Sequence, residues 1–157
     1  SDVCSSDLKD VSLMSDPYDA LKLSNQLCFP LYAASRAIIR EYHPYLSQLD
    51  LTYTQYITLM ALWEKGSLSV KELGEMLYLD SGTLTPLLKA MEQKGLLRRR
   101  RSEKDERSVI VTLTEAGEAL REEALAVPAQ VGTCIKLPPE RAIQLHALLH
   151  ELLNDLS

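Results

Sequence analysis

Two capping boxes in the middle of the chain mark where two of its helices begin, and they limit the fold more than any other feature. They are Thr52-Tyr53-Thr54-Gln55 and Ser69-Val70-Lys71-Glu72. In each box the first hydroxyl accepts from the backbone one turn into the helix, and the fourth side chain reaches back to the first residue. The first helix is expected to run through Trp63 and to stop at Gly66. The second is expected to be short and to end near Leu77.

A third helix follows at once, and the periodicity of the chain changes after it. Asp80 or Ser81 is expected to cap this helix, which spans 82–94 and ends at Gly95. Beyond a charged tip, residues 108–113 are rich in β-branched side chains, which predicts a β-hairpin with a polar loop. The order helix, short helix, tight turn, helix and basic hairpin predicts a mainly α protein. Within it, we expect a winged helix-turn-helix over about 52–113 with a two-stranded β-wing.

Helical patterns flank this segment on both sides. Residues 27–46 carry an apolar stripe at helical spacing. Pro30 suits the first turn of this helix, whereas Pro44 marks a kink or a stop, because proline removes a backbone donor and clashes one turn back. After the hairpin, a helix is expected over about 114–126 and a last one over 141–156.

The composition excludes several classes of protein. No apolar run approaches the roughly 20 residues that span a bilayer, and the first residues lack the pattern of a secretory signal, so we expect a cytoplasmic protein with no membrane partner. Residues 1–13 have no periodicity and are expected to be a non-native or disordered leader, with 14–157 forming a single domain. His146 and His150 share a helix face but lack a third ligand, so neither a metal nor a cofactor is expected.

The net charge of −5 hides a local excess of positive charge. Between Lys94 and Arg107, seven basic residues stand against three acidic ones, so this segment carries +4 and the remainder −9. The local patch, not the sum, determines nucleic-acid binding, and this patch directly follows a helix-turn-helix. The alternative interpretation is a charge run that is only solvated.

The predicted DNA contacts lie on the third helix and on the hairpin. The N-terminal part of the helix is expected to enter a major groove, and the hairpin to reach an adjacent minor groove or the phosphate backbone. Asp105 is expected to orient the wing by pairing with an arginine such as Arg107, not to contact DNA. The side chains expected to contact DNA are Ser81, Thr83, Thr85, Lys89, Arg101, Lys104 and Arg107.

Three segments resemble a known family. Residues 79–89 and 101–109 resemble the MarR family of winged-helix repressors. Within that family, residues 23–36, with Asn25-Gln26-Leu27-Cys28-Phe29 at their centre, resemble the organic-hydroperoxide-resistance repressors. The resemblance implies a homodimer on a palindromic double-stranded operator, with dimerisation helices over about 21–47 and 114–156. It also implies one reactive cysteine per subunit, which corresponds to Cys28.

The resemblance also assigns thiolate-supporting residues. Two tyrosines of the partner subunit are expected to hydrogen-bond the reactive sulfur, and they match Tyr42 and Tyr53; Tyr32 matches a tyrosine near the site. Some members of the family carry a second cysteine that forms a disulfide with the sensor of the other subunit. Cys134 lies in the corresponding region, and the alternative is an inert thiol.

Residue chemistry points in the same direction for Cys28. A thiolate is stabilised at a helix N-terminus, and Cys28 lies just before Pro30. Leu27, Phe29 and Leu31 would form an apolar wall that favours organic over small polar peroxides. The alternative is that Cys28 is a small buried hydrophobic residue, the commoner state of a cysteine.

These observations predict a transcriptional repressor that is not an enzyme and that releases its operator when an organic hydroperoxide oxidises Cys28. Two alternatives remain open. One is a MarR-like repressor that responds to a small aromatic ligand, with Cys28 incidental. The other is a thiol peroxidase, in which the basic hairpin has no purpose.

Overall fold

The structure is a computed structural model that describes residues 16–157. The leader predicted over 1–13 lies outside the described residues, together with Cys4. The described helices are α1 (Cys28–Gln48), α2 (Tyr53–Lys65), α3 (Val70–Leu77), α4 (Ser81–Gln93), α5 (Glu115–Ala124), α6 (Val127–Gly132) and α7 (Pro139–Leu156). The strands are β1 (Ser67–Ser69), β2 (Leu97–Arg101) and β3 (Val109–Leu113).

The chain divides into two compact units, one ending at Arg40 and the other beginning at Glu41. In the first, two short 3-10 turns, Pro17–Leu21 and Leu23–Asn25, precede the start of α1. In the second, the remaining helices and the three strands surround a leucine-rich core.

Helix α1 begins at Cys28 with Pro30 in its first turn, as the sequence predicts, but it does not stop at Pro44. The helix continues to Gln48, where the backbone N–H groups of Leu49 and Leu51 both donate to the Leu46 carbonyl and end it. Proline costs one hydrogen bond inside a helix. Leu46 lies in the part of the helix that continues past Pro44, and it is completely buried, at 1% exposure.

Both predicted capping boxes are confirmed. The Thr52 hydroxyl accepts from the Gln55 backbone N–H at 3.3 Å, and the Gln55 side chain accepts from the Thr52 N–H at 3.1 Å. The corresponding distances for Ser69 and Glu72 are 3.1 and 2.7 Å. Asp80, not Ser81, caps α4, because its carboxylate accepts from the Thr83 backbone N–H at 2.8 Å. These caps fix where α2, α3 and α4 begin.

The hairpin is confirmed, but the sheet has three strands where the sequence predicts two. Strand β3 lies in the centre, with β2 on one side and β1 on the other, and both pairings are antiparallel. In β1, Ser67 pairs with Thr112 and Ser69 with Ile110. A strand of three residues that runs straight into the Ser69 capping box has too little alternation to be detected from its own sequence.

The core joins the helix-turn-helix to the sheet. Its completely buried side chains come mainly from α2, α3, α4, β2 and β3, with Leu46 added by α1 and Val131 by α6; those of the first five elements include Leu59, Leu62, Leu73, Leu84, Leu88, Met91, Leu97 and Val111. By contrast, α7 contributes no buried residue. Because α4 and the hairpin pack on the same core, their positions relative to each other are fixed.

Candidate DNA interface and redox site

The outward face of α4 carries the four side chains that the sequence assigns to it. Ser81, Thr83, Thr85 and Lys89 are exposed. Leu84, Leu88 and Met91 are buried on the opposite face, at 1% exposure or less, and hold the helix on the core. The Thr85 hydroxyl donates to the Ser81 carbonyl at 2.8 Å, so its lone pairs stay open to an incoming donor. The helix can therefore present hydroxyls and an ammonium to a groove without losing core contacts.

The loop between β2 and β3 extends three basic side chains into solvent: Arg101, Lys104 and Arg107 are all exposed. The loop closes on itself, with the Ser102 N–H donating to the Ser108 carbonyl at 2.8 Å and the Ser108 N–H donating to the Asp105 carbonyl at 2.9 Å. An open cleft of about 460 Å³ lies between this wing and α4, lined among others by Thr85, Arg99 and Arg107.

The expected pairing of Asp105 with the Arg107 guanidinium is wrong. The Asp105 carboxylate accepts from the Arg107 backbone N–H at 3.0 Å, and no ion pair joins the two side chains in the part of the chain that the structure describes. An aspartate that bonds a backbone two residues ahead stabilises a tight turn. Asp105 therefore shapes the wing through the backbone and leaves the Arg107 side chain available to a phosphate or base.

Two of the seven basic residues are engaged within the protein. Arg99 forms a fork on Glu92, with Nε and Nη2 at 3.1 and 2.9 Å from one carboxylate oxygen, while its backbone N–H donates to the other at 2.9 Å. These hydrogen bonds hold the pKa of Glu92 below its usual range, the backbone bond being the largest cause. Lys94 pairs with Asp50 at 3.1 Å.

Sequence reasoning missed these two pairs, because each joins residues of different elements. The Glu92–Arg99 pair ties the end of α4 to β2, so it links the helix expected in the major groove to the base of the wing.

Cys28 is the first residue of α1 and is exposed. Just before it, the Asn25 side-chain amide donates to the Asp19 carbonyl at 2.8 Å, and the Gln26 amide donates to the Ala20 carbonyl. The two amides thus tie the preceding turn together and determine how the chain enters the helix. The apolar side chains beside Cys28 are open to solvent in the single chain: Leu27 is 72%, Phe29 41% and Leu31 42% exposed.

Tyr32 lies one turn beyond Cys28 on α1 and contacts Arg36. The Arg36 guanidinium donates to the Tyr32 phenol oxygen at 2.6 Å and also lies 5.4 Å from the centre of the tyrosine ring. The sequence singled out Tyr32 but gave no signal for Arg36.

The structure brings Tyr42 and Tyr53 together. Their rings meet edge to face with centroids 5.0 Å apart. A third ring, that of the buried Tyr56, lies 5.8 Å from Tyr42 and 6.4 Å from Tyr53. Burial, and to a smaller extent Tyr42, raises the pKa of Tyr53, which keeps its phenol protonated and able to donate. The sequence did not indicate Tyr56.

Cys134 is exposed and follows α6, and its backbone N–H donates to the Val131 carbonyl at 2.9 Å. Its sulfur lies beside the Tyr45 phenol. The negative charge that Cys134 carries as a thiolate raises the pKa of Tyr45, with burial and a hydrogen bond between the two side chains adding to the effect. Tyr45 is a second contact that sequence reasoning missed.

Within residues 16–157, no three His, Cys, Asp or Glu side chains lie close enough together to hold a metal ion. The rings of His146 and His150 have centroids 4.2 Å apart, and a nitrogen of His150 lies 2.9 Å from the His146 carbonyl oxygen. No described helix has the length and apolarity that crossing a membrane would require.

A helix-turn-helix on a buried core, followed by a basic hairpin, defines a winged-helix DNA-binding protein. A family described as "Transcriptional regulator SarA/Rot" matches residues 40–124. The organic hydroperoxide resistance transcriptional regulator of Bacillus subtilis is 51% identical over 143 residues, which are 91% of this chain and 97% of that protein.

Solved structures agree with this assignment. The reduced AbfR of Staphylococcus epidermidis bound to DNA superimposes with a TM-score of 0.71 at 37% identity, covering 88% of this chain and 96% of that one. The disulfide-formed AbfR gives a TM-score of 0.60 at 37% identity, over 86% and 95% of the two chains. The chain belongs to the MarR-type winged-helix transcriptional regulators, and within them to the organic hydroperoxide resistance regulators, as its sequence resemblance predicts.

Proposed function

We propose that this chain is a DNA-binding transcriptional repressor that releases its operator when an organic hydroperoxide oxidises Cys28. The observation that carries the proposal is an exposed cysteine at the first position of α1, in a polypeptide whose α4 and wing expose a continuous set of hydroxyl and basic side chains. The similarity to a regulator of organic hydroperoxide resistance supports the nature of the signal.

The DNA-binding surface consists of α4 and the wing. The N-terminal half of α4 enters a major groove, which is about 12 Å wide, with Ser81, Thr83, Thr85 and Lys89 facing the DNA. Arg101, Lys104 and Arg107 reach the adjacent minor groove or its phosphates, where the negative potential favours a guanidinium. The turn that Asp105 holds sets the direction of the wing tip.

The repressor is a homodimer. Helix α7 exposes five large apolar side chains (Ile143, Leu145, Leu148, Leu153 and Leu156), each at least 37% exposed, and α1 exposes Phe29, Leu31, Ile38 and Ile39. Exposed apolar side chains grouped in this way mark a surface for protein–protein contact. A second copy of the chain covers the exposed apolar side chains of both helices, so residues 21–47 and 114–156 form the dimerisation region. A homodimer also matches the two-fold symmetry of a palindromic operator.

Oxidation begins at the Cys28 sulfur. The thiolate attacks the terminal peroxide oxygen, an S–O bond forms, the O–O bond breaks, and the departing alkoxide takes up a proton to become an alcohol, so that sulfur is oxidised to a sulfenic acid. Phenols of Tyr42 and Tyr53 from the partner subunit support the thiolate by donating to it, and Tyr32 lies beside it on the same helix.

The sulfenic acid then condenses with Cys134 of the partner subunit, with loss of water, to form a disulfide. The disulfide-formed state of the related AbfR supports this outcome. Rearrangement around the sulfur moves the two winged domains out of register with their half-sites. Each subunit reacts once per signal, so Cys28 is a sensor and not the nucleophile of an enzyme.

The decisive experiment compares wild type with Cys28→Ser in operator binding, before and after treatment with cumene hydroperoxide. Serine preserves the size of the side chain and cannot be oxidised by a peroxide, so we expect both reduced proteins to bind alike and only wild type to release DNA. Release by the serine variant contradicts the sensor assignment. Release by an aromatic acid but not by peroxide favours a ligand-responsive repressor, and sustained peroxide consumption with a thiol reductant favours a peroxidase.

A further inference from the structure

A phenol and a guanidinium form a bonded pair on the helix that carries Cys28. Arg36 donates to the Tyr32 oxygen at 2.6 Å while its guanidinium lies 5.4 Å from the ring centre. The bond uses a lone pair of the phenol oxygen and leaves the phenol hydrogen free to be donated elsewhere. The arrangement therefore fixes the rotamer of Tyr32 and places a positive charge next to its oxygen.

Helix geometry directs this pair towards Cys28. Residues 28, 32 and 36 follow one another at intervals of four, so they lie on one face of α1 as successive neighbours. Helical side chains lean towards the N-terminus and cover the preceding turn. Arg36 leans over Tyr32 in this way, and by the same geometry we expect Tyr32 to lean towards the turn that begins at Cys28.

The peroxide reaction needs a proton at this place. When a thiolate attacks an alkyl hydroperoxide, the departing group is an alkoxide, a strong base that leaves poorly unless it is protonated as the O–O bond breaks. Tyr32 is the neutral acid nearest to Cys28 along its helix face, and the hydrogen bond from Arg36 holds its phenol oxygen in place.

We propose that Tyr32 is the proton donor to the leaving alkoxide and that Arg36 is its positioning residue. This inference rests on the proposed function of Cys28 as the sensor. The Cys28 thiolate bonds the terminal oxygen of RO–OH, the O–O bond breaks, and the Tyr32 proton passes to RO⁻. The products are the Cys28 sulfenic acid, the alcohol ROH and a Tyr32 phenolate that takes a proton from water.

Oxidation by a peracid distinguishes proton donation by Tyr32 from support of the Cys28 thiolate. The group that leaves a peracid is a carboxylate, which is stable without a proton, so a proton donor contributes little to that reaction. Support of the thiolate would contribute equally to both reactions. The ratio of the rate constants for cumene hydroperoxide and peracetic acid therefore reports the proton donor alone.

The experiment measures the second-order rate constant of Cys28 oxidation with both oxidants, in a Cys134→Ser background that halts the reaction at the sulfenic acid. For Tyr32→Phe we expect the rate with cumene hydroperoxide to fall about 100-fold, a usual contribution of general-acid catalysis, and the rate with peracetic acid to change little. Arg36→Met should reproduce part of this selective loss, and Arg36→Lys should restore part of it.

Arg40 supplies the matched control. It is an exposed arginine of the same helix, and no hydrogen bond or ion pair of its side chain is present among the described residues. Arg40→Met should leave both rates at their wild-type values. Operator binding by each reduced variant reports whether the fold survives.

Equal losses with the two oxidants, or no loss, would overturn the role of Tyr32 as a proton donor. A loss in Arg40→Met as large as in Arg36→Met would overturn the role of Arg36, because charge alone would explain it. If wild-type Cys28 reacts with neither oxidant, the proposed function itself fails, and this outcome differs from all the others.

Discussion

The winged helix-turn-helix and the last helix are built differently. From α2 to β3, the apolar faces are covered within one chain: Leu62 and Leu73 are completely buried, and both capping boxes are complete. Helix α7 has no buried residue, and Leu148 is 61% exposed. One chain therefore suffices to build the winged helix-turn-helix, whereas the apolar side chains of the terminal helix stay exposed in a single chain. In the proposed homodimer a second copy covers them, and chemistry at a cysteine then changes the spacing of two winged helix-turn-helix domains without unfolding either.

The largest expected effect concerns a covalent link between two copies. Cys134→Ser should abolish the disulfide-linked dimer after peroxide treatment, while Cys28 still reaches the sulfenic acid and DNA release becomes slower or dependent on added small thiols. A non-reducing gel run beside an operator-binding assay measures both. If wild type releases DNA without forming a covalent dimer, Cys134 is an inert thiol, and oxidation of Cys28 alone causes the release.

Two leucine variants, one in the core of the winged helix-turn-helix and one on α7, test this difference directly. Leu62→Ala removes a completely buried side chain and should lower the free energy of unfolding by about 2–5 kcal/mol at every protein concentration. Leu148→Ala should change the stability of one chain little and weaken the dimer, so that its Tm falls more steeply on dilution than that of wild type. Thermal unfolding at several protein concentrations measures both variants. If Leu148→Ala behaves like Leu62→Ala, α7 belongs to the core of a single chain.

On the DNA-binding side, Arg107→Ala should weaken operator binding by about 1–3 kcal/mol if the guanidinium enters the minor groove, and by less if it contacts only phosphate. Its exposure and the backbone bond that Asp105 makes to its N–H leave the side chain available. Arg99→Ala is the comparison variant, because the Arg99 side chain forms an ion pair with Glu92 and is therefore not available to a phosphate. Salt titrations of binding distinguish the two, since only loss of a direct phosphate contact lowers the salt slope by about one. An unchanged affinity for Arg107→Ala contradicts the role of the wing.

The sequence allowed the helix-turn-helix to be predicted closely because its signals are local. A capping box such as Thr52–Gln55 lies within four residues, and the buried face of α4 follows from the spacing of Leu84, Leu88 and Met91. What it could not predict depends on residues far apart. Strand β1 pairs with Ile110 to Thr112 of β3, and Cys134, in the turn after α6, lies beside Tyr45 of α1. Of the two alternatives expected at Pro44, a kink or a stop, the stop is wrong, because the helix continues past that residue to Gln48.

Removal of the Glu92–Arg99 ion pair should have the smallest effect of these changes. The pair joins α4 to β2, so it tests how two elements within the winged helix-turn-helix are held together. Glu92 has a lowered pKa, so its contribution to stability is present above its ordinary value of 4.5 and is lost as the pH falls through the lower value in the folded state. Glu92→Gln should therefore flatten the decline of Tm below about pH 4.5 and leave Tm near neutral pH only slightly reduced, since the pair is partly open to solvent.

The effect of Glu92→Gln on operator binding should be smaller than that of Arg107→Ala, because Glu92 acts only through the position of β2. Glu75→Gln is the matched control, an exposed carboxylate on α3 that lies 4.0 Å from Lys71. If both variants change the pH profile alike, the fork between α4 and β2 does not hold the wing.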